Sequence, residues 1–370
     1  MFGVSNEFYL KHQSENIKKI IHDEKLLVGG DGRCDSPGHT AKYCTYSLSD
    51  QKTNRILCAS VTQVTETGNS NAMEKLGFVK ALKEIEEKGI KIKQITTDRH
   101  LQIRKYLREE RPDLNHQFDV WHVCKNLNSK IMNAAKKKSC NILGRWGKSI
   151  KNHFWWSCAT CKGDVNLLRE KWTSILFHVQ GVHEWQSNTL FHRCAHGLLP
   201  IEEGRTTERI NPETEAFSCL QKIVLNPRLL NDLNNLTAFS HTGSIEVKHA
   251  IDNKWTPKNT HFSYTGMLAR SQLAIIDFNL GADLEQAETS TGEKRFYQAF
   301  SKMTKGWTVK PVKIAKDRKI FQEMVDRAVY VFLNNEVLPV PTIPDLPANI
   351  STIEKPDKKE AVLNLKSRFK

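Results

Sequence analysis

The chain has 370 residues, 39% of them hydrophobic, enough for a full buried core. Lysine and arginine outnumber aspartate and glutamate by 55 to 41, and the resulting charge of +14 favours a polyanionic partner such as nucleic acid; no amphipathic basic helix or lipidation signal supports the rival, an acidic membrane surface. The nine cysteines follow no disulfide framework, the charged N-terminus lacks a signal-peptide apolar core, and no apolar run reaches the length of a membrane span, which together point to a reducing compartment.

Residues 5–21 read as a short helix leading into a strand, Lys25 to Gly30, which ends in Gly29-Gly30-Asp31-Gly32. The segment Arg33 to His39 has the Ser, Pro and Gly of a turn. Lys42 to Leu48 and Arg55 to Val64 read as two strands of a hairpin joined by the polar residues 49–54. Apolar residues Met73, Leu76, Val79, Leu82 and Ile85 recur at three-residue steps, predicting a helix that Gly89 ends. Ile90 to Ile95 alternates isoleucine with lysine, the period-two pattern of a strand with one buried face, and it ends in Thr96-Thr97-Asp98. A charged helix follows, and then a second short strand closing on Asp119-Val120-Trp121-His122.

From Val123 to about Ser240 strand signals vanish, and Trp146, Trp155, Trp156, Trp172 and Trp185 fall among helix-length amphipathic runs, so a helical insertion with its own aromatic core is predicted. Residues 236–249 read as a turn opening a helix that carries Glu246, and further helices are expected over Tyr264 to Asp277 and Asp317 to Leu333. Pro339, Pro341, Pro344, Pro347 and Pro356 mark an end expected to be extended or disordered. The predicted organisation is a helical lead-in at 1–23, a first core segment at 24–125, the helical insertion at 126–240, a second core segment at 241–310, and a proline- and lysine-rich tail at 311–370.

Acidic residues at the carboxyl ends of strands sit where open α/β sheets hold their chemistry. Asp31, Asp98 and Glu246 are the candidate set, because three carboxylates at one sheet edge suit a pair of Mg²⁺ or Mn²⁺ ions, which take hard oxygen ligands. Two such ions about 3.5–4 Å apart clamp the attacking and leaving oxygens of a phosphoryl displacement. Each acid also has a plainer reading. Asp98 is a fitting N-cap for a helix beginning at Arg99, Asp31 fits a glycine-rich turn with Asp35 as its rival for the first ligand, and Glu246 suits the positive end of a helix dipole. Asp119 and His122 either support the site or form a buried hydrogen-bonded pair packed by Trp121. Cys158, Cys161, Cys194 and His196 make a candidate structural Zn²⁺ site, with His183 and His192 as competing ligands and a thiol-rich helical core as the alternative.

The strand order, with three antiparallel strands followed by two added through helical crossovers, resembles the ribonuclease H-like plan: an α/β fold with a mixed sheet and, here, a large α-helical insertion. The array GGDGRCDSPGHTAKYCTY, TTDRH, FDVWHVCKN and FSHTGSIEVKHA resembles the DDE catalytic domain of cut-and-paste transposases, most closely the THAP-associated, Kolobok-like group of animal genomes, over residues 24–310. In several such superfamilies the second catalytic aspartate is followed by Cys or Asp, two residues and His, and Asp119-Val120-Trp121-His122 matches that pattern after Asp98. The resemblance implies Asp31, Asp98 and Glu246 as catalytic Mg²⁺ or Mn²⁺ ligands, with Asp35, Asp119 and His122 in support. It implies cleavage of double-stranded DNA to leave a 3′-hydroxyl that attacks target DNA, in the nucleus, with homo-oligomers compatible and no small-molecule substrate. Such transposases usually carry an N-terminal zinc-coordinating DNA-binding domain, whereas residues 1–23 alone precede the first predicted strand, so a fragment, a truncated copy or a domesticated derivative is expected. Alternatives for the same residues are a non-catalytic DNA- or protein-binding factor that kept the fold and a simple metal-dependent nuclease.

Overall fold

Five strands form one mixed sheet in the computed structural model, which describes residues 2–20, 26–197, 208–302, 305–341, 343–347, 350 and 353–365. The elements of the first half are α1 (Phe2–Ile20), β1 (Leu26–Cys34), β2 (Tyr43–Asp50), β3 (Ile56–Gln63), α2 (Ser70–Glu87), β4 (Ile92–Thr97), α3 (Leu101–Glu110), β5 (Asn115–Phe118) and α4 (Val120–Ala134). The sheet order is β3-β2-β1-β4-β5, with β1, β2 and β3 antiparallel and β4 and β5 parallel to β1. The predicted boundary at residues 23 and 24 lies outside the described residues, as do residues 366–370 of the tail.

Both faces of the sheet are covered. Tyr46 and Leu48 of β2 join Phe78, Leu82 and Ile85 of α2 and Ile103 and Leu107 of α3 in one apolar cluster. The buried face of α2 is Met73, Gly77, Phe78, Ala81, Leu82 and Ile85, and the predicted Leu76 and Val79 are only partly buried. Steps of three drift around a helix that turns every 3.6 residues, so the true stripe alternates three and four. Gly77 lets the helix approach closely, because a Cβ there would lie 3.0 Å from Tyr46 Cβ.

Later segments complete the fold. A helical region comprises α5 (Ile142–Thr160), α6 (Val165–Thr173), α7 (Ile175–His178), α8 (Glu215–Val224) and α9 (Pro227–Asp232). Its core contains Trp146, Phe154, Trp172 and Leu220 but also Phe118 of β5 and Val120 and Leu127 of α4, so its apolar interior is continuous with the end of the sheet. Then come α10 (Gly243–Trp255), α11 (Tyr264–Asn279), the hairpin β6 (Phe296–Ser301) and β7 (Gly306–Pro311), α12 (Lys319–Leu333) and α13 (Lys358–Leu363). Trp307-Thr308-Val309-Lys310 alternates apolar with polar residues, and Phe296, Tyr297 and Phe300 enrich the partner segment in aromatics; this is a strand signal absent from the sequence reading. The five tail prolines lie in segments without helix or strand. Among the described residues no helix is long and apolar enough to cross a membrane.

The second face of the sheet is closed by α1, α10 and α11. Ser47, between Tyr46 and Leu48, faces this side by strand alternation, and its Oγ accepts a 2.8 Å hydrogen bond from Lys248 Nζ of α10. Lys248 is fully buried and lies 3.0 Å from Asp252 Oδ2, one turn along the same helix. Arg33 of β1 reaches the other end of α10, donating to Asn253 Oδ1 at 2.7 Å and to the Thr256 carbonyl at 2.7 Å. These contacts lock α10 across β1 and β2. Lys248→Met should therefore destabilise the chain by about 3–5 kcal/mol, because it leaves the Asp252 carboxylate buried without its partner, while Lys248→Met with Asp252→Leu should recover most of the loss. Urea unfolding of both variants measures this; equal midpoints for the single and double variants would reject the pair as the cause.

Candidate active site at the carboxyl edge of the sheet

Strand register brings the predicted aspartates together. Gly29 of β1 pairs beside Thr96 of β4, and Thr97 of β4 beside Phe118 of β5. One or two residues past these last parallel partners stand Asp31, Asp98 and Asp119. The predicted strand end at Gly30 is corrected here, because β2 continues to pair with β1 as far as Cys34 beside Cys44. Asp31 thus stays on a rigid strand while its parallel neighbour stops.

Asp31 accepts a 2.9 Å hydrogen bond from the Gly32 amide. Burial, and then the negative charge of Asp98, push its pKa up to about 7, against the opposing influence of His122. Glu74 on α2, which the sequence reading missed, joins the same site. Burial, and then the charges of Asp98 and Asp31, push its carboxyl up to about 8. Its approach depends on Gly32, where a Cβ would lie 2.8 Å from Glu74 Cγ. The available signal was a carboxylate next to Met73, at the edge of the helix face that packs on the sheet.

Asp98 directly follows β4, and its Oδ1 accepts from the His100 amide at 2.9 Å. The predicted N-cap alternative does not hold, since α3 begins at Leu101 with His100 in the cap position and no side-chain cap bond. Asp119 is instead the helix cap. Its Oδ1 accepts from the His122 amide at 3.0 Å, so Val120, Trp121 and His122 open α4 and do not continue the strand, as the sequence pattern suggested. Asp119 Oδ2 accepts from both the amide and the hydroxyl of Thr242, at 2.7 and 2.6 Å. Burial works to raise the Asp119 pKa, but the bonds from His122 and Thr242 prevail and hold it down to about 2.

Thr242 immediately precedes α10, whose first turn carries Glu246. His122 bridges the two sides, with Nδ1 3.4 Å from Asp119 Oδ2 and Nε2 3.7 Å from Glu246 Oε1. The adjacent Asp119 carboxylate raises its pKa, with smaller support from Asp31 and Asp98. One turn beyond Glu246, His249 Nδ1 lies 3.8 Å from Asp31 Oδ2, and burial with the nearby Lys248 pushes this imidazole down to about 3. His100 Nε2 lies 3.9 Å from Glu74 Oε2. His100, His122 and His249 thus stand against the carboxylates, and of these only His122 was singled out in the sequence. Asp35, the rival first ligand, serves the loop after β1: its Oδ1 accepts from the Lys42 amide at 3.0 Å, and its own amide donates to the Tyr43 carbonyl.

From Asp98 and His122 an open groove runs toward α9, lined by Arg99, Arg104, Lys125, Lys130 and Arg228. Arg99 and Arg104 hold the buried Asp232 at 3.0 and 2.9 Å. Among the described residues Lys125, Lys130 and Arg228 have no carboxylate at ion-pair distance. Trp121, 40% exposed, stands edge-on to His122 with Lys125 Nζ 4.9 Å from its ring centre.

The four residues expected to hold zinc do not meet. Cys158 and Cys161 face inward at the end of α5, at helical spacing, into the apolar core, and Cys161 Sγ donates to the Cys158 carbonyl at 3.2 Å. Cys194 and His196 lie in a separate cluster with His178 and His183. All nine cysteines are free thiols. No protein-family model matches the chain, and no curated protein matches it.

The raised carboxyls make stability depend on pH. Asp31 and Glu74 titrate near pH 4 when unfolded and at about 7 and 8 when folded, so the folded state binds more protons between those limits. Their contribution is complete below about pH 4 and lost as pH rises through 7 and 8. In buffer free of Mg²⁺ and Mn²⁺ the urea midpoint should fall between pH 5 and pH 8.5, and the fall should flatten in Asp31→Asn/Glu74→Gln. An unaltered slope in that variant would remove these two groups as its cause.

Proposed function

We propose that the chain is a metal-dependent phosphodiester-cleaving and strand-transfer enzyme acting on double-stranded DNA, with a ribonuclease H-like core of the DDE-transposase kind. The observation that carries this reading is the gathering of Asp31, Glu74 and Asp98, from a strand, a helix and a strand end, at one sheet edge, with Glu246 linked to that edge through His122. The sheet order and the placement of Glu246 on a helix crossing β1 and β2 support the ribonuclease H-like assignment.

The donor set suits Mg²⁺ or Mn²⁺. All four groups offer carboxylate oxygens, and burial followed by the charge of neighbouring carboxylates raises Asp31 and Glu74, a penalty on their charged forms that a bound dication would offset. Asp31, Asp98 and Glu246 would be the ligands, with Glu74 completing the acidic wall; a bound pair of such ions supplies Lewis-acid polarisation of the scissile phosphate and neutralises its developing charge. The rest is done by the chain itself. Asp119 anchors the start of α10, and His122 orients Glu246. Lys125, Lys130 and Arg228 neutralise backbone phosphates along the groove, and Trp121 offers an exposed ring to an unstacked base. A cut that leaves a 3′-hydroxyl at the edge keeps the next nucleophile beside the same carboxylates.

Asp98→Asn, Glu246→Gln and Glu74→Gln should each abolish Mg²⁺- or Mn²⁺-dependent cleavage of duplex DNA, with circular dichroism near wild type and no fall in the urea midpoint. His122→Ala should lower the rate by roughly 10–100-fold, as expected for an outer-shell orienting group, and Asp35→Asn should leave it nearly unchanged. Gel assays on a substrate the wild type cuts provide the readout, and full cleavage by Asp98→Asn or Glu246→Gln would remove the mechanism.

DNA affinity should fall steeply with salt, through release of condensed counterions. Replacing Lys125, Lys130 and Arg228 together by Gln should reduce the slope of log affinity against log salt by about three units, roughly one per lost phosphate contact. Fluorescence anisotropy over a salt series measures it; a flat response in the wild type would dispose of the nucleic-acid reading.

A further inference from the structure

Between α7 and α8 the described residues 179–197 contain no helix and a single isolated bridge, Glu184 with Arg193. Loops this long in a compact fold are uncommon and need their own source of order. Part of that order is visible. The Glu170 carboxylate accepts from the amides of Thr189, Leu190 and Phe191 at 3.2, 2.7 and 2.8 Å, and the Trp185 ring stacks on Phe177 with centres 5.1 Å apart. These contacts fix the tip and middle of the loop. Its two ends meet at a cluster of three imidazoles and a thiol.

We propose that His178, His183, Cys194 and His196 form a tetrahedral Zn²⁺ site that fastens the loop to the end of α7. Their ligand atoms all lie within 4.8 Å of one another. Zinc bonds of about 2.0–2.1 Å to nitrogen and about 2.3 Å to sulfur set tetrahedral edges near 3.4 Å between two nitrogens and near 3.6 Å between nitrogen and sulfur. His178 Nδ1 lies 3.5 Å from His196 Nε2 and 3.4 Å from Cys194 Sγ. The three imidazoles stand with ring centres 5.1, 5.3 and 5.0 Å apart and planes at 77, 75 and 81°, an arrangement around a shared point and not a stack.

Local backbone geometry builds the site. The Cys194 amide donates to the His183 carbonyl at 2.9 Å and the Trp185 amide to the His192 carbonyl at 2.8 Å, a minimal hairpin that sets His183 beside Cys194. His196, two residues on, returns to the same side, and Gly181, with φ of 79°, reverses the chain between His178 and His183. His196 Nδ1 lies 2.8 Å from the Gly197 carbonyl, a bond that requires the proton on Nδ1 and leaves the Nε2 lone pair facing the cluster. Among the described residues His183 Nδ1 is buried with no hydrogen-bond partner, an orphan that hydrogen bonding within the cluster does not explain. Four protein ligands close the coordination shell, which marks a structural role, and binding releases the Cys194 thiol proton to solvent.

The test is metal content by mass spectrometry on the full chain, purified without a histidine tag and without chelator. About one zinc per chain is expected, falling below about a tenth in Cys194→Ser and in His178→Ala, and staying at about one in Cys158→Ala, Cys161→Ala and the active-site variant Asp98→Asn. Less than a tenth in the wild type, or zinc retained by both Cys194→Ser and His178→Ala, overturns the site, as does loss of zinc in Cys158→Ala or Cys161→Ala with Cys194→Ser unaffected. Co²⁺ substitution of the wild type guards against variants that fail to fold: tetrahedral d–d absorption with a single thiolate charge-transfer contribution supports the site, and an octahedral spectrum or several thiolates rejects it.

Discussion

The Asp119 carboxylate joins elements that the chain makes far apart. It caps α4, takes both donors of Thr242 at the start of α10, and lies against His122, which reaches Glu246. Hydrogen bonds to a charged group contribute roughly 1.5–3 kcal/mol each, more than a helix cap contributes by itself. With the carboxylate only 2% exposed, the arrangement tolerates no half-satisfied state. The position of Glu246 relative to Asp31 and Asp98 follows from that junction at one end of α10 and from Lys248 and Arg33 farther along the helix.

Charge is distributed with a clear division of labour. A chain of net charge +14 gathers Asp31, Glu74 and Asp98 where each raises another's proton affinity or is raised by it, while Lys125, Lys130 and Arg228, without a carboxylate partner among the described residues, line the adjoining groove. Buried ions away from this edge have partners: Asp232 has two arginines and Asp252 has Lys248. At this edge burial and repulsion act together on Asp31 and Glu74.

Much of the site was legible locally. Asp98 follows a short alternating strand, Asp31 follows the apolar run that opens β1, and Glu246 stands in the first turn of a predicted helix, so their elements were readable from period and punctuation. Glu74 was not, because a carboxylate on an amphipathic helix looks the same whether it meets solvent or a sheet edge; what separates the two is Gly32, a residue 42 positions upstream whose missing side chain opens the path. The zinc ligands failed for a similar reason. Cys-x-x-Cys is a metal signature only when its turn faces outward, and at the end of α5 its helical spacing turns both sulfurs into the core.

By itself the sequence determined the strand and helix order of the first 120 residues, the change to helix thereafter, the basic balance, and the local places of Asp98 after a strand and of Glu246 in a first helical turn, since all of these follow from periodicity and composition within short windows. Tertiary structure alone decided which carboxylates meet, that Asp119 is a cap and a brace, that β1 runs on past Gly30, and that His178 and His183, in place of Cys158 and Cys161, join Cys194 and His196. Those outcomes depend on register, on the direction a helix face points and on where a glycine leaves room, and each is set by contacts between residues that no local window contains.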